Sequence, residues 1–331
     1  MTAPTMRALL LEAANAPFVS REIARPVAGP GQVLVQIAAS AVNPLDTKIR
    51  AGNAAHARHP LPAVLGMDLA GTVRAVGAGV ERFRVGDEVY GLTGGIGGLQ
   101  GSLADYAAVD ADLLARKPAN LSMREAAALP LIAITAWEGL VDRARAHAGQ
   151  KVLVHGGAGG VGHVAVQIAR ALGADVYATV SPAQFDTVRR FGATPIDRTT
   201  ATVDDYVGQH TGGEGFDVVY DTVGGAVLDA SFRAAREYDG HVVSCLGWGT
   251  HALAPLSLRA ATYSGVFTLL PMLSGRGRAH HGEILAEVAK LVEAGRLVPL
   301  VDSRRFTLDT ALEAHDVVAQ GRGRGKVVIE V

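Results

Sequence analysis

The chain has 331 residues, enough for about two domains. Hydrophobic residues make up 49% of it, and 31 basic side chains balance 32 acidic ones, for a net charge of −1. This balance argues against a nucleic-acid-binding or membrane-surface protein, because both need a strongly basic face. Its one cysteine, Cys245, excludes an internal disulfide and any CxxC-type zinc site.

No segment of the sequence has the pattern of a targeting or membrane-spanning stretch. The longest apolar run, 126–137, contains Pro130 and is shorter than the roughly 20 residues that a membrane span needs. The first 18 residues lack the apolar core of a signal peptide. We therefore expect a cytoplasmic protein with no membrane partner.

Up to about residue 125, short apolar runs are separated by glycine-containing turns, which predicts a strand-rich region. The runs with the clearest strand pattern are 6–11, 33–37, 69–80 and 87–90. Residues 91–101 are so rich in glycine that we expect a loop there. The region is predicted to form an irregular β-barrel.

From about residue 121, helices and strands alternate. Ser122 followed by Glu125 is a capping-box signature that begins a helix running to Leu129. Strands are predicted at 151–155, 175–180, 217–221 and 241–246, and helices at 162–172, 183–191 and 226–236. This alternation predicts an α/β fold with a doubly wound parallel sheet.

The last 60 residues contain predicted helices at 283–294 and 308–320 and a final strand at 326–331. The pattern leaves open whether they extend the parallel sheet or return to the first region.

A glycine-rich turn follows the strand at 151–155 and begins the next helix. Gly157, Gly159 and Gly162 form G-x-G-x-x-G, in which glycines allow a tight turn, close approach of a pyrophosphate, and close helix–strand packing. The phosphates would bind the free amides of the helix N-terminus. The alternative is a flexible glycine loop. The candidate cofactor-binding residues here are Gly157, Ala158, Gly159, Gly160, Val161 and Gly162.

The end of the second strand of this unit, 179–182, has no acidic residue to bind a ribose 2′-hydroxyl, so a 2′-phosphate would not be repelled. Ser181 can donate a hydrogen bond to that phosphate, and Arg189 or Arg190 can supply positive charge. This favours NADPH over NADH, although NADH remains possible. The alternative is that the two arginines are solvated charges on a helix.

Six segments together resemble one family: 41–50, 65–71, 85–89, 157–162, 221–225 and 325–326. They are similar to the zinc-free quinone oxidoreductases of the medium-chain dehydrogenase/reductase superfamily, which include the zeta-crystallin type. The resemblance implies a homodimer whose GroES-like β-barrel catalytic domain is interrupted by a Rossmann domain. We expect the catalytic domain at 1–125 and 272–331, and the Rossmann domain at 126–271.

Zinc-dependent relatives place a catalytic cysteine in the loop that reads 41–43 here, and Gly-His-Glu where this chain has Gly66-Met67-Asp68. Catalytic zinc needs about three protein ligands, so the resemblance implies an enzyme without metal. Two residues depart from the family pattern. Phe185 stands near a position where NADPH-binding members commonly carry lysine, and Lys48 where tyrosine is frequent.

Without a Lewis acid, removal of hydride from a simple alcohol is disfavoured, because nothing lowers the pKa of the alcohol. Hydride transfer to a quinone or an α,β-unsaturated carbonyl needs only hydrogen-bond donors for the charge that develops on oxygen. Asn43 and Lys48 are the predicted catalytic donors. The alternative for Asn43 is that it braces its loop before Pro44.

Further cofactor contacts are implied by the resemblance alone. For two of them the sequence leaves another role open: Phe267 can be an ordinary core residue, and Lys326 can be a surface charge, instead of contacting the cofactor. The residues implied are Asn43, Thr135, Val223, Leu246, Gly247, Val266, Phe267, Thr268 and Lys326.

Three functions remain open at this stage. The leading one is an NADPH-dependent reductase of quinones or activated alkenes. The second is a reductase of one specific enone or enoyl metabolite, and the third is a nucleotide-binding protein without catalysis.

Overall fold

The computed structural model describes residues 4–331, which divide into two compact units. Unit 1 contains the described residues up to Leu131, together with Leu269–Gly295 and Pro299–Val331. Unit 2 contains Ile132–Thr268 and Arg296–Val298. The sequence places these boundaries at about 125 and 271 and does not anticipate the short 296–298 segment. Residues 1–3 of the expected first domain lie outside the described residues.

The strands form the sheets of both units. In chain order they are β1 (Thr5–Leu11), β2 (Phe18–Ala24), β3 (Gln32–Val42), β4 (Ala63–Val64), β5 (Asp68–Val76), β6 (Glu88–Leu92), β7 (Tyr106–Asp110), β8 (Leu114–Arg116), β9 (Lys151–His155), β10 (Asp175–Val180), β11 (Thr194–Asp197), β12 (Val218–Asp221), β13 (His241–Ser244), β14 (Thr262–Gly265), β15 (Phe306–Thr307) and β16 (Val327–Glu330).

The helices connect and cover these strands. They are α1 (Pro44–Arg50), α2 (Met123–Ala127), α3 (Pro130–Trp137), α4 (Gly160–Ala171), α5 (Phe185–Arg190), α6 (Val203–Thr211), α7 (Ala226–Ala234), α8 (Ala254–Ser257), α9 (Leu270–Ser274), α10 (Arg278–Glu293) and α11 (Ala311–Ala319). Among residues 4–331, no helix is long and apolar enough to cross a membrane.

Unit 1 is built on a largely antiparallel sheet in the order β15-β16-β3-β5-β6-β8, with β7 also paired to β3. A second sheet has the order β2-β1-β4. Alternate residues of β3, among them Val33, Val35 and Ile37, point into the core against Leu69 and Val73 of β5. The last strand, β16, pairs antiparallel with β3, so the tail belongs to unit 1.

Unit 2 contains a six-stranded sheet in the order β11-β10-β9-β12-β13-β14, and all its pairs are parallel. The predicted α/β class with a doubly wound parallel sheet is therefore confirmed. The chain reverses its direction of winding between the adjacent strands β9 and β12. In such folds ligands bind at the carboxyl ends of the strands at this reversal.

Several predicted elements match closely, and others do not. β9 and β10 have the predicted bounds, and Ser122 and Glu125 form the predicted capping box at α2. The helix predicted at 183–191 divides into a 3₁₀ turn, Pro182–Gln184, and α5. The sequence analysis does not anticipate α1, β11 or α6.

Candidate functional site

The glycine-rich turn of unit 2 has the geometry of an anion-binding helix start. Gly156 adopts the left-handed region at φ 73°, and Gly159 is the N-cap of α4 with no side-chain cap. Gly159 and Gly160 are exposed, so the first amides of this 12-residue helix face solvent. Ala158 and Val161 lie in the same turn. These free amides fit the pyrophosphate of a dinucleotide.

Two glycines of this turn are required by close backbone packing. A Cβ atom at Gly157 would lie 2.5 Å from the Cβ of Ala178 on β10. A Cβ atom at Gly162 would overlap the carbonyl oxygen of Gly156. A side chain at position 157 would displace the turn from the sheet, and one at position 162 would displace the start of α4 from the turn.

The turn is held by residues that the sequence analysis does not single out. The amide of Gly156 donates to the carbonyl of Thr179 at 3.1 Å, and His155 Nδ1 lies 3.0 Å from Thr179 Oγ1. Burial lowers the pKa of His155 to about 4, so its imidazole is neutral at pH 7. A neutral side-chain pair therefore joins the ends of β9 and β10 beneath the turn.

Asp221, at the carboxyl end of β12, organises the next two loops. Its buried carboxylate accepts hydrogen bonds from the amides of Val223 (3.0 Å) and Gly224 (2.9 Å). It also accepts from Ser244 Oγ at 2.7 Å, and Ser244 Oγ in turn accepts from the Leu246 amide at 3.0 Å. Val223 and Leu246 are thereby held at the carboxyl ends of neighbouring strands.

The residues after β13 and β14 form an aromatic-walled segment of unit 2. A Cβ atom at Gly247 would overlap the hydroxyl of Tyr263. The ring of Phe267 stands edge-on to Trp248, with ring centroids 5.9 Å apart. Val266 is buried and donates its amide to the last residue of β13.

Thr135 and Thr268, predicted from opposite ends of unit 2, lie side by side. Their hydroxyl oxygens are 3.0 Å apart, and Thr268 Oγ1 donates to Glu138 Oε2 at 3.0 Å. The hydroxyl of Tyr220 donates to the carbonyl of Thr135 at 2.7 Å and fixes α3 against the sheet. Glu138 and Tyr220 are members of this group that the sequence analysis does not identify.

The residues predicted to bind a 2′-phosphate lie at or near the surface, and each is held by a neighbour in the chain. Ser181 Oγ donates to Gln184 Oε1 at 3.0 Å. Arg189 donates to Asp186 at 3.0 Å, and its guanidinium carbon lies 5.5 Å from the centre of the Phe185 ring. Exposed pairs of this kind are weak, about 1 kcal/mol or less, so a phosphate can displace them.

Unit 1 contains a buried polar cluster around Lys326. Its ammonium donates to Asn43 Oδ1 and lies 3.5 Å from Asp68 Oδ2. Asn43 Nδ2 donates to Asp68 Oδ2 at 2.9 Å, and the Leu131 amide donates to Asp68 Oδ1 at 2.8 Å. Burial lowers the pKa of Lys326, and nearby Asp68 opposes that shift. Lys326 thus lies inside unit 1 rather than on its surface.

The two predicted catalytic donors occupy different environments. Asn43 is 1% exposed, and both ends of its amide are bound within the cluster. Lys48, five residues further along and on α1, is exposed. The structure therefore brings Asn43 together with Lys326, and leaves Lys48 facing solvent.

The donor atoms at this point of unit 1 do not fit a zinc ion. Asn43, Met67 and Asp68 lie in the two segments where the resemblance places zinc ligands, and they provide one carboxylate, which the amide of Asn43 and the ammonium of Lys326 already contact. No group of three histidine, cysteine or acidic side chains that could hold a metal occurs among residues 4–331.

Comparisons with known proteins agree with this architecture. Residues 29–119 match the family described as alcohol dehydrogenase GroES-like domain, and residues 191–329 match the family described as zinc-binding dehydrogenase. A crystal structure of an alcohol dehydrogenase superfamily protein from Novosphingobium aromaticivorans is 60% identical, with a TM-score of 0.97, and covers 99% of this chain and 100% of that one. The structure of the quinone oxidoreductase from Coxiella burnetii is 28% identical, with a TM-score of 0.82, over 99% and 100%.

Three curated relatives are similar over most of this chain. The 2-methylene-furan-3-one reductase of Solanum lycopersicum is 38% identical over 93% of this chain and 74% of its own length. The NADPH-dependent alkenal/one oxidoreductase of Arabidopsis thaliana, a chloroplast protein, is 35% identical over 90% and 72%. The spectinabilin polyketide synthase system protein NorB of Streptomyces orinoci is 38% identical over 93% of this chain, which spans 13% of NorB.

The substitution Gly162→Ala should weaken NADPH binding at least about tenfold, or about 1.4 kcal/mol, because its Cβ would push the start of α4 away from the backbone of the turn. Gly208→Ala is the matched control, since its Cβ meets nothing within 4 Å on α6. Titration of NADPH fluorescence measures both dissociation constants. Equal affinities for the two variants would contradict the assignment of this turn.

Proposed function

Since the chain belongs to the medium-chain dehydrogenase/reductase superfamily, within its quinone oxidoreductase-like family, we propose that it uses NADPH to reduce activated carbonyl compounds. The membership makes the protein an oxidoreductase with a nicotinamide cofactor. The proposal adds NADPH as the preferred form, catalysis without zinc, and a quinone or an α,β-unsaturated carbonyl as the acceptor.

The cofactor part of the proposal is supported by the turn at the start of α4 and by the residues after β10. The first amides of α4, beginning at Gly160, suit a pyrophosphate. Ser181 is partly exposed and Arg189 is exposed, so both can turn towards a 2′-phosphate. The bound cofactor would supply the hydride. Lys326, which the resemblance places at the cofactor, is buried in unit 1, and its contact with the cofactor remains a prediction.

The observation that carries the choice of acceptor is the occupied carboxylate of Asp68. Its oxygens receive an amide of Asn43, the backbone of Leu131 and the ammonium of Lys326. The residues there do not leave a set of ligands that could hold a metal ion, and so cannot activate an alcohol in that way. An acceptor that is already electron-poor needs no such activation, because its carbonyl oxygen takes the charge as the β-carbon receives hydride.

Lys48 is the donor that we propose for this oxygen. Its ammonium is exposed on α1, whereas the amide of Asn43 is engaged with Asp68 and Lys326. Asn43 contributes by capping and orienting α1 rather than by touching the acceptor. This replaces the direct role that the sequence suggests for Asn43.

A specific enone is the favoured acceptor within this class, ahead of a quinone. The curated relatives that the chain covers best are named as a furanone reductase and an alkenal/one oxidoreductase. Quinone reduction is the alternative, and it is supported by the likeness to a quinone oxidoreductase structure.

A cytoplasmic homodimer completes the proposal. The compartment is carried over from the sequence as a prediction. The dimer is supported by β14, an edge strand of the unit 2 sheet whose residues are largely exposed. An edge strand offers unpaired backbone groups to the same strand of a second copy.

A panel of acceptors tests the proposed function. The protein is mixed with NADPH or NADH and with quinones, enones or saturated ketones, and absorbance of the reduced cofactor is followed. We expect enones and quinones to be reduced, NADPH to be preferred, and a chelator to leave the rate unchanged. Oxidation of simple alcohols with NADP⁺, or loss of activity with the chelator, would contradict the proposal.

Lys48→Met should lower kcat about 100-fold, because one donor to the developing oxyanion is lost. Its affinity for NADPH should not change, and Lys48→Arg should recover part of the rate. Lys290→Met is the control, since Lys290 is an exposed lysine on α10 paired with Glu287. Steady-state kinetics with the best acceptor of the panel distinguishes them. Similar rates for the Lys48 and Lys290 methionine variants would exclude Lys48 as the donor.

A further inference from the structure

A second carboxyl group belongs to the buried cluster of unit 1. Asp46, in the first turn of α1, is fully buried, and one of its oxygens, Oδ2, accepts the amide of Asn43 at 2.8 Å. The other, Oδ1, is buried and has no hydrogen-bond partner within residues 4–331. The charges of Asp68 and Lys326 both act on it. The cluster therefore contains two carboxyl groups and one amine.

The charge of this cluster depends on how many protons it holds. With all three groups ionised, it would place one uncompensated negative charge in the interior of unit 1, which is costly. One additional proton makes the cluster neutral. The ionisation of such a cluster is shared among its members, but the geometry decides where that proton is held most easily.

The two carboxyl groups differ in the donors that stabilise a negative charge. Asp68 receives the Asn43 amide, the Leu131 amide and the ammonium of Lys326. Asp46 receives the backbone amide of Asn43 and a smaller contribution from the Asn43 side chain, and its other oxygen has no hydrogen-bond partner. A carboxylate with more and stronger donors ionises more easily than one with fewer. The additional proton therefore resides on Asp46.

We propose that Asp46 is a positioning residue that holds a proton up to about neutral pH, and that this proton holds the first turn of α1 in place. Loss of the proton would leave a buried negative charge at the base of the helix that carries Lys48. The position of Lys48 would then change with pH. The proton on Asp46 is independent of the reaction, whereas its effect on turnover rests on the proposed function.

The other charged groups around α1 do not replace this proton. Within α1, Lys48 is exposed, and Arg50 pairs with Asp316 of α11, the helix that packs against α1. His315 of α11 is buried, and burial lowers its pKa to about 3, so it is neutral. On the sheet side, Asp68 of β5 and Lys326 beside β16 are the charged groups that act on Asp46.

The direction of the pH effect follows from the raised pKa. Burial raises the pKa of Asp46 from 3.8 to about 7. The folded protein therefore holds this proton more tightly than the unfolded chain does, and stability falls as pH rises from about 4 through 7. The loss is nearly complete at about pH 8, where the folded protein has also released the proton. Asp46→Asn removes the ionisation, so it should raise the melting temperature relative to the native chain at pH 8 and much less at pH 4.

Asp205→Asn is the matched control for this substitution. Asp205 occupies the same third position of a capping box, on α6, but it is exposed. The hydroxyl and amide of Thr202 lower the pKa of Asp205, so its contribution to stability is lost only as pH falls. Asp205→Asn should therefore show no inflection near pH 7 in its difference from the native chain.

The deciding experiment is carbon-13 NMR of the full chain labelled at the aspartate carboxyl carbons, from about pH 5 to about pH 9. One carboxyl carbon should titrate near pH 7, and it should be missing in Asp46→Asn and present in Asp205→Asn. Completion of every titration below about pH 5 would overturn the proposal, even if Asp46→Asn does not fold.

The rate provides a second readout. The logarithm of kcat/KM for the native chain should have an inflection near pH 7 that Asp46→Asn removes and Asp205→Asn retains. An inflection unchanged in Asp46→Asn would overturn the link to Lys48. Because NMR reads the proton without any substrate, a protein that reduces no acceptor can still confirm or refute the state of Asp46.

Discussion

The contacts that the ammonium of Lys326 makes inside unit 1 are the interaction on which the fold of that unit depends. It joins the beginning of the last strand to Asn43, 283 residues earlier, and to Asp68 at the start of β5. Removing one member of a buried charged group costs about 3–5 kcal/mol, because its partner remains unpaired in the interior. This contact fixes the tail to unit 1, because without Lys326 the buried carboxylate of Asp68 would lose its oppositely charged neighbour.

In unit 2 the main constraint is that the backbone of the glycine-rich turn must lie very close to the sheet and to the start of α4. Gly157 and Gly162 allow α4 to begin directly against β10 and against the turn itself. Beneath them, His155 is neutral, and Asp221 has its charge satisfied by backbone amides and Ser244. The unit thus presents free amides to an anion without a competing exposed carboxylate in the turn. In the function we propose, the two units have separate roles: unit 2 would bind the phosphates, and unit 1 would fix the helix that carries Lys48.

Local signals predicted the elements of unit 2 well, and long-range contacts explain what the sequence could not show. β9 and β10 are continuous apolar runs between polar and glycine residues, so their bounds were predictable. α1 begins at Asn43-Pro44, which has a turn signature, and its helical state depends on packing against α11. The burial of Lys326 had no local signal, because its partners lie 258 and 283 residues away. The sequence around Asp46 likewise indicates only a helix cap, because Asp68 and Lys326, which act on its charge, are distant in the chain.

Because the carboxylate of Asp68 is engaged with Asn43 and Lys326, we expect hydride to be transferred to the β-carbon of an activated acceptor and not to the carbon of a simple carbonyl group. Transfer of deuterium from NADPH labelled at the nicotinamide C4 tests this most directly, with an enone as the acceptor and mass spectrometry and NMR of the product. We predict a saturated ketone with one deuterium on the β-carbon. An allylic alcohol with deuterium on the carbinol carbon would contradict the account.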